Sequence, residues 1–327
     1  MAEKIVAFSN SPHVRSKNTT RRIMINVCIA LLPACVAGCV FFGWQAITVL
    51  ATAVLSAVAS EFVYLLILRK PFKQIAKEFD FSTVVTGLLV GMSLGSTSPL
   101  YIPAFASVFA IIVVKMLFGG TGKNLVNPAI AGRIFVFISF SIQLDSFVTP
   151  NIGAINDDVI TGATSLKSLI SDGSHLSNLD LLLGTGVGGC IGETCKIALI
   201  IGGIYLVCMG ILNFRWPIVY IAATGLMTVV LNGFNFEYFL PSILSGGLML
   251  GAIFMATDYV TSPNTKAGCY VYYLLLGVLT AVLREVTGYE VVSFAILLMN
   301  LLVPLFDKWI VNRPFGYVRV KKNKEGK

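Results

Sequence analysis

Apolar residues in this chain gather into long runs, and polar residues fill the short stretches between them. A helix that crosses a bilayer needs roughly 20 mostly apolar residues. Ten runs approach that length: 23–42, 45–68, 81–96, 99–118, 127–143, 194–212, 216–232, 239–257, 268–284 and 290–311. The pattern predicts an all-α integral membrane protein with about ten transmembrane helices. It divides the chain into a polar N-terminal segment (1–22), five helices (23–143), one long connection (144–193), five more helices (194–311) and a basic tail (312–327).

Composition agrees with that division. Of the 327 residues, 56% are apolar and 12% charged, against about a quarter charged in soluble domains. The formal charge of +8 does not point to nucleic acid, because the basic residues sit between apolar runs and not on one soluble face. No cleavable signal peptide is evident, so the first run reads as a retained helix. An even number of spans puts both termini on one side. Loops on that side hold Arg69, Lys70, Lys73, Lys77, Lys115, Lys123, Arg133, Arg215 and Lys266, and both tails are basic. The other side has only Lys167, Lys196 and Arg284 beside most of the acids, including Asp145, Asp157, Asp158, Asp172, Asp180, Glu193, Glu237, Glu285 and Glu290. Positive charge marks the cytoplasmic side. Both termini are therefore expected in the cytoplasm, and the 144–193 loop is expected to be extracytoplasmic.

Two spans suggest an internal repeat. The third contains Thr86-Gly87-Leu88-Leu89-Val90 and leads to Ser98-Pro99; the eighth contains Ser245-Gly246-Gly247-Leu248-Met249 and leads to Thr261-Ser262-Pro263. They lie five spans apart and so cross in opposite senses, as a five-plus-five inverted repeat with two broken or half helices predicts. Shared glycine-rich composition is the alternative account.

The outer loop contains Asp158-Val159-Ile160-Thr161-Gly162-Ala163-Thr164-Ser165-Leu166. Gly162 and Ala163 leave the backbone open, so a bulky phosphate-bearing group can approach Thr164. A threonine hydroxyl can be esterified by phosphate. Taken alone, this is also an ordinary small-residue turn. Among the acids in or beside spans, Glu61 lies inside the second, Asp258 ends the eighth, and Glu285 follows Arg284 at the outer end of the ninth. Such acids are costly in a membrane. Glu61 either pairs with a neighbouring helix or helps an ion across. Asp258 either caps a helix, pairs with Lys266 or belongs to an ion path. Arg284 and Glu285 also read as plain interfacial charges. The seven cysteines form neither CxxC nor a Cys/His cluster, so no metal site is expected; Cys190 and Cys195 flank a loop that a disulfide would close. His13 and His175 lack metal-ligand company.

With these motifs in place, the chain resembles RnfD and its relative NqrB. Ser11-Pro12-His13-Val14 is similar to that family's N-terminal signature. Gly119-Gly120-Thr121-Gly122-Lys123-Asn124-Leu125-Val126-Asn127-Pro128-Ala129, then Gly132-Arg133, resembles its cytoplasmic segment. Phe254-Met255-Ala256-Thr257-Asp258 and Thr261-Ser262-Pro263 resemble the close of its eighth span. The resemblance implies that FMN is joined through its phosphate to Thr164. Asp158, Thr161, Gly162 and Ala163 then form the attachment motif; Val159 departs from the small residue usual there. A separate flavin transferase, using FAD and a divalent metal, makes the bond. The resemblance also implies a second, non-covalent flavin, riboflavin, near Lys123, Asn124, Asn127 and Arg133. The two amides suit the polar edge of an isoalloxazine, and the two cations suit its reduced charge. The alternative is that Asn127-Pro128 caps the fifth span and the basic pair only sets topology.

On this resemblance the chain is a bacterial inner-membrane subunit of an ion-translocating ferredoxin:NAD⁺ oxidoreductase that exports Na⁺ or H⁺. Glu61 and Asp258 are its ion-path candidates. The chain has no iron–sulfur spacing, P-loop or dinucleotide domain. It therefore needs partners: an outer-face flavin subunit and cytoplasmic iron–sulfur and NAD-binding subunits. A secondary transporter or channel, and a purely structural membrane scaffold, are the rival readings.

Overall fold

The computed structural model describes residues 19–144, 147–148, 161–162, 177–184 and 188–311, the side chains of 77–78, 147–148 and 161–162 excepted. Helix α1 runs over Thr20–Ile67, 48 residues. At 1.5 Å per residue that is about 72 Å, twice what a bilayer needs. Gly43 divides it, with φ 63° and ψ −143° that an L side chain rarely adopts. The two halves fall on the first two apolar runs. Then come α2 (Phe72–Glu78), α3 (Ser82–Met92) and α4 (Tyr101–Val108), which continues as a π-helix over Phe109–Met116. Next are α5 (Pro128–Ser139) and α6 (Ser141–Leu144). A two-residue antiparallel ladder follows, β1 (Phe147–Val148) with β2 (Thr161–Gly162).

The second half holds α7 (Asn178–Leu183), α8 (Lys196–Cys208) and α9 (Arg215–Leu231). It continues with α10 (Phe239–Leu244) and α11 (Leu248–Leu250), the latter extended as a π-helix over Gly251–Met255. It closes with α12 (Lys266–Thr287) and α13 (Val292–Trp309).

Every predicted run contains a helix, yet the helices differ in reach. Among the described residues, α1, α12 and α13 are long and apolar enough to cross a membrane, and the pair Phe236–Leu244 and Leu248–Met255, bent by 68°, makes a fourth candidate. Five more apolar helices have only 10–17 residues.

Packing is that of helices in lipid. Val36, Val40, Leu55, Ile138, Leu274 and Leu298 face outward, while Ala53 and Ala57 are wholly buried. Gly87 and Gly91 of α3 lie over Ala53 and Ala57 of α1, so close that a Cβ on Gly87 would sit 2.8 Å from the Val54 Cα. Close small-residue approach is how helices associate where lipid is as apolar as leucine. The tightest such contact joins α8 to α1, where a Cβ on Gly202 would meet the Ala30 carbonyl at 2.1 Å. A backbone oxygen cannot rotate away. Gly202→Ala is therefore expected to cost about 1–3 kcal/mol, read as a lower unfolding temperature in detergent.

Three interruptions shape the interior. Helix α3 stops at Ser93, and the bent pair is broken over Ser245–Gly247. The third was not expected. Residues 188–193, assigned above to the outer loop, turn back into the protein: Cys190, Ile191 and Glu193 are buried, as are Leu181 before them and Thr194 after them. The Ile191 and Gly192 amides donate to the Leu94 and Met92 carbonyls at 3.0 and 2.8 Å. The freed end of α3 thus satisfies this irregular segment, the condition under which non-helical backbone is tolerated at membrane depth.

Candidate functional site

A cavity opens between α1, α3, α8 and the two π-helices. It encloses about 860 Å³ of empty space including its open mouth. Apolar residues of several helices wall it, among them Val27, Val85, Leu89, Ile253 and Phe254; Ser82, Thr86, Thr121, Asn124, Thr257 and Asp258 add polar groups. Both π-helices contribute, through Lys115 and through Ile253 with Phe254. Such segments are frequent at functional sites.

Asn124 and Asn127 line this cavity; Lys123 and Arg133 do not. The Asn127 Oδ1 accepts from the Ala129 amide at 3.0 Å, capping α5, and its Nδ2 donates to the Met255 carbonyl at 3.0 Å. One side chain thus starts α5 and holds the end of the second π-helix. The Asn124 Nδ2 donates to the Val126 carbonyl at 3.2 Å. Lys123 is exposed. Asp258 accepts from the Val260 amide at 3.5 Å and the Thr261 hydroxyl at 3.4 Å. It organises the turn after the π-helix, and no ion pair with Lys266 occurs among the described residues.

Beside the cavity, Lys115 is not a loop charge as counted above. It is buried in the first π-helix, with Nζ 3.1 Å from Glu61 Oε1. It donates to Ser82 Oγ at 2.8 Å and Thr83 Oγ1 at 2.7 Å. The pairing reading of Glu61 is met. Asp80 lies outside the spans, between α2 and α3. Burial pushes its carboxyl up, but hydrogen bonds from Ser82 and Thr121 and the charge of Lys115 outweigh burial and hold it below the ordinary carboxylate range.

A second charged group ties the helix breaks together. Arg133, also counted as a loop residue, lies within α5 and faces Glu193 at 3.5 Å. Its Nη2 donates to the Cys190 sulfur at 3.9 Å; Cys190 and Cys195 are free thiols. The Lys196 ammonium donates to the Glu193 and Gly246 carbonyls. Arg284 is buried rather than interfacial: it binds the Ser242 carbonyl at 2.9 Å, the Ser245 carbonyl at 3.3 Å and Glu290 at 3.2 Å. Glu285 beside it is exposed. The glycines leave room for these carboxylates: a Cβ on Gly247 would meet Glu193 at 2.4 Å. The signal sequence reading passed over is Gly188-Gly189 before Glu193, a match to Gly246-Gly247.

Of the 158–166 segment, the structure describes Thr161 and Gly162, which lie beyond the far end of α5. The backbones of Thr161 and Gly162 pair with Val148 and Phe147, just past α6. Helix α5 alone, 12 residues from the Asn127 cap, advances about 18 Å. Thr161-Gly162 and the cavity thus lie at opposite ends of one helix. Asp158, Ala163 and Thr164 fall outside the described residues.

Comparison with known proteins gives an end-to-end likeness. Residues 7–316 match the NQR2, RnfD, RnfE family. The D component of the Na⁺-translocating ferredoxin:NAD⁺ oxidoreductase complex of Acetobacterium woodii is 41% identical, covering 98% of this chain and 99% of its own length. The D component of the proton-translocating ferredoxin:NAD⁺ oxidoreductase complex of Clostridium ljungdahlii is 35% identical, over 96% and 97% of the two chains. The D component of the ion-translocating oxidoreductase complex of Stutzerimonas stutzeri is 33% identical, over 94% and 95%.

Proposed function

The chain belongs to the NQR2, RnfD, RnfE family, and from that premise we propose that it is a membrane subunit of an ion-translocating ferredoxin:NAD⁺ oxidoreductase, carrying one flavin on Thr164 and a second in the cavity. The observation that carries this reading is similarity along nearly the whole length to the D components of such complexes. Its ten apolar runs form a five-plus-five inverted repeat in the bacterial cell membrane, with both termini cytoplasmic. One relative is named for Na⁺ and another for H⁺, so the exported ion is one of these two. Partners are an outer-face flavin subunit, cytoplasmic iron–sulfur and NAD-binding subunits, and a transferase that loads FMN.

A bound flavin supplies one- and two-electron transfer. The residues of this chain supply position. Thr164 offers the ester oxygen, and Gly162 and Ala163 keep the backbone clear for the phosphate. Asp158 and Thr161 complete the motif. At the other end of α5, the cavity fits a riboflavin ring in its chemistry: Val85, Leu89, Ile253 and Phe254 give apolar walls, and Ser82, Thr86, Asn124 and Thr257 give hydrogen-bonding groups. Lys115 lies at the cavity wall and opposes negative charge there. Lys123 and Arg133 stand off, Arg133 being held by Glu193.

The experiment is to fill the cavity from its half-buried α1 side. In Val27→Trp, flavin released by acid is expected to fall about tenfold, while flavin retained after denaturation stays unchanged. Unchanged acid-released flavin removes the cavity assignment. The helix breaks over Ser93–Leu100 and Ser245–Gly247 favour a transporter as the second reading; a chain without bound flavin in either fraction would support it.

A further inference from the structure

Lys115 reaches from the first π-helix into the seam between α1 and α3 and meets three side-chain oxygens there. These are Glu61 Oε1 at 3.1 Å, Ser82 Oγ at 2.8 Å and Thr83 Oγ1 at 2.7 Å. The Thr83 hydroxyl also donates to the other Glu61 oxygen. Behind this shell, the Ser82 hydroxyl donates to Asp80 Oδ1 at 2.6 Å and lies 3.1 Å from Thr121 Oγ1. One carboxylate and two hydroxyls around a compact single charge, with a second carboxylate behind them, are the oxygen donors that hard cations take.

The pair also forms a partition. On one side lies the cavity described above, which Ser82, Lys115 and Thr121 help to line. On the other is a second cavity of about 1070 Å³ including its mouth, bordered by Glu61, Asp80, Thr121 and Lys70. Thr121 borders both. A cation in the second cavity meets Glu61; a negative charge arriving in the first meets Lys115.

We propose that the Lys115 ammonium is a tethered occupant of a cation site, and that a sodium ion takes the Glu61, Ser82 and Thr83 oxygens when the ammonium withdraws toward the first cavity. No bond is made or broken: one cation replaces another on the same oxygens. The exchange rests on the reading that the complex moves a cation, and it gives the cation a step at which negative charge in one cavity opens the way from the other.

Lys115→Met removes the tethered charge and leaves the oxygens. The full-length variant in detergent is expected to bind radiolabelled sodium at least about tenfold more tightly than the parent chain, at one site per chain. Adding Glu61→Gln should abolish the gain. Choline does not compete. Where the methionine variant does not purify as a monodisperse protein, Lys115→Gln, whose amide can still donate to Glu61 and Ser82, gives the same gain. Sodium binding no tighter than the parent's, in whichever variant is folded, overturns the proposal. Failure of the underlying reading appears separately, as whole-complex vesicles that reduce NAD⁺ without moving Na⁺ or H⁺.

Discussion

Thr164→Val is expected to abolish the ultraviolet-excited flavin fluorescence of the denatured chain on a gel. Valine keeps the shape and β-branching of threonine and lacks the hydroxyl. Without that oxygen no phosphate ester can form, so the loss is complete and not graded. The substitution falls in the polar 144–193 stretch, between the two sets of apolar runs. The variant should therefore purify as the parent does. Flavin released by acid from the cavity stays at the parental level, because α5 separates that cavity from the ladder holding Thr161 and Gly162. Ser165→Ala, which removes the neighbouring hydroxyl, should leave the band in place.

Arg284→Ala is expected to destabilise the chain more than any other single change considered. The guanidinium is 4% exposed. It satisfies the Ser242 and Ser245 carbonyls, at the end of α10 where the helix breaks, and pairs with Glu290. Truncation strands a carboxylate and two carbonyls in the interior. Removing one partner of a buried pair costs about 3–5 kcal/mol, out of a typical total of about 5–15 kcal/mol. The variant should unfold at markedly lower temperature in detergent and give little monodisperse protein. Arg284→Lys keeps the charge but loses the planar fork, and should fall between the two. Parental thermal unfolding of Arg284→Ala would show that the helix break is held by other groups.

Much of the helical framework was legible because lipid imposes a blunt rule: segments at membrane depth must be apolar and helical. The runs at 23–42 and 45–68 mark the two halves of α1, and Gly43 supplies the kink between them. The interior charges were less legible. Lys115, Arg133 and Arg284 lie near the ends of apolar runs, where counting charges treats every basic residue as facing water. Their partners are far away in the sequence or beyond a turn: Glu61 is 54 residues from Lys115 and Glu193 is 60 from Arg133. No local pattern reports such pairings. The buried segment 188–193 was missed for a similar reason. Its polar residues read as loop, and its burial is made tolerable by groups outside it: the carbonyls of Met92 and Leu94, the Arg133 guanidinium and the Lys196 ammonium. For the site, the Asn124 and Asn127 pair was readable from the motif, and both line the cavity. Arg133, close to them in sequence, is carried away by the turn of α5 to face Glu193.

The most direct test of the flavin account is the mass of the mature chain, made alongside its transferase, with fragmentation of the peptide that spans residues 158–166. The account predicts one added flavin mononucleotide, less one water, localised to the Thr164 oxygen. An unmodified peptide in a chain taken from an active complex would contradict it.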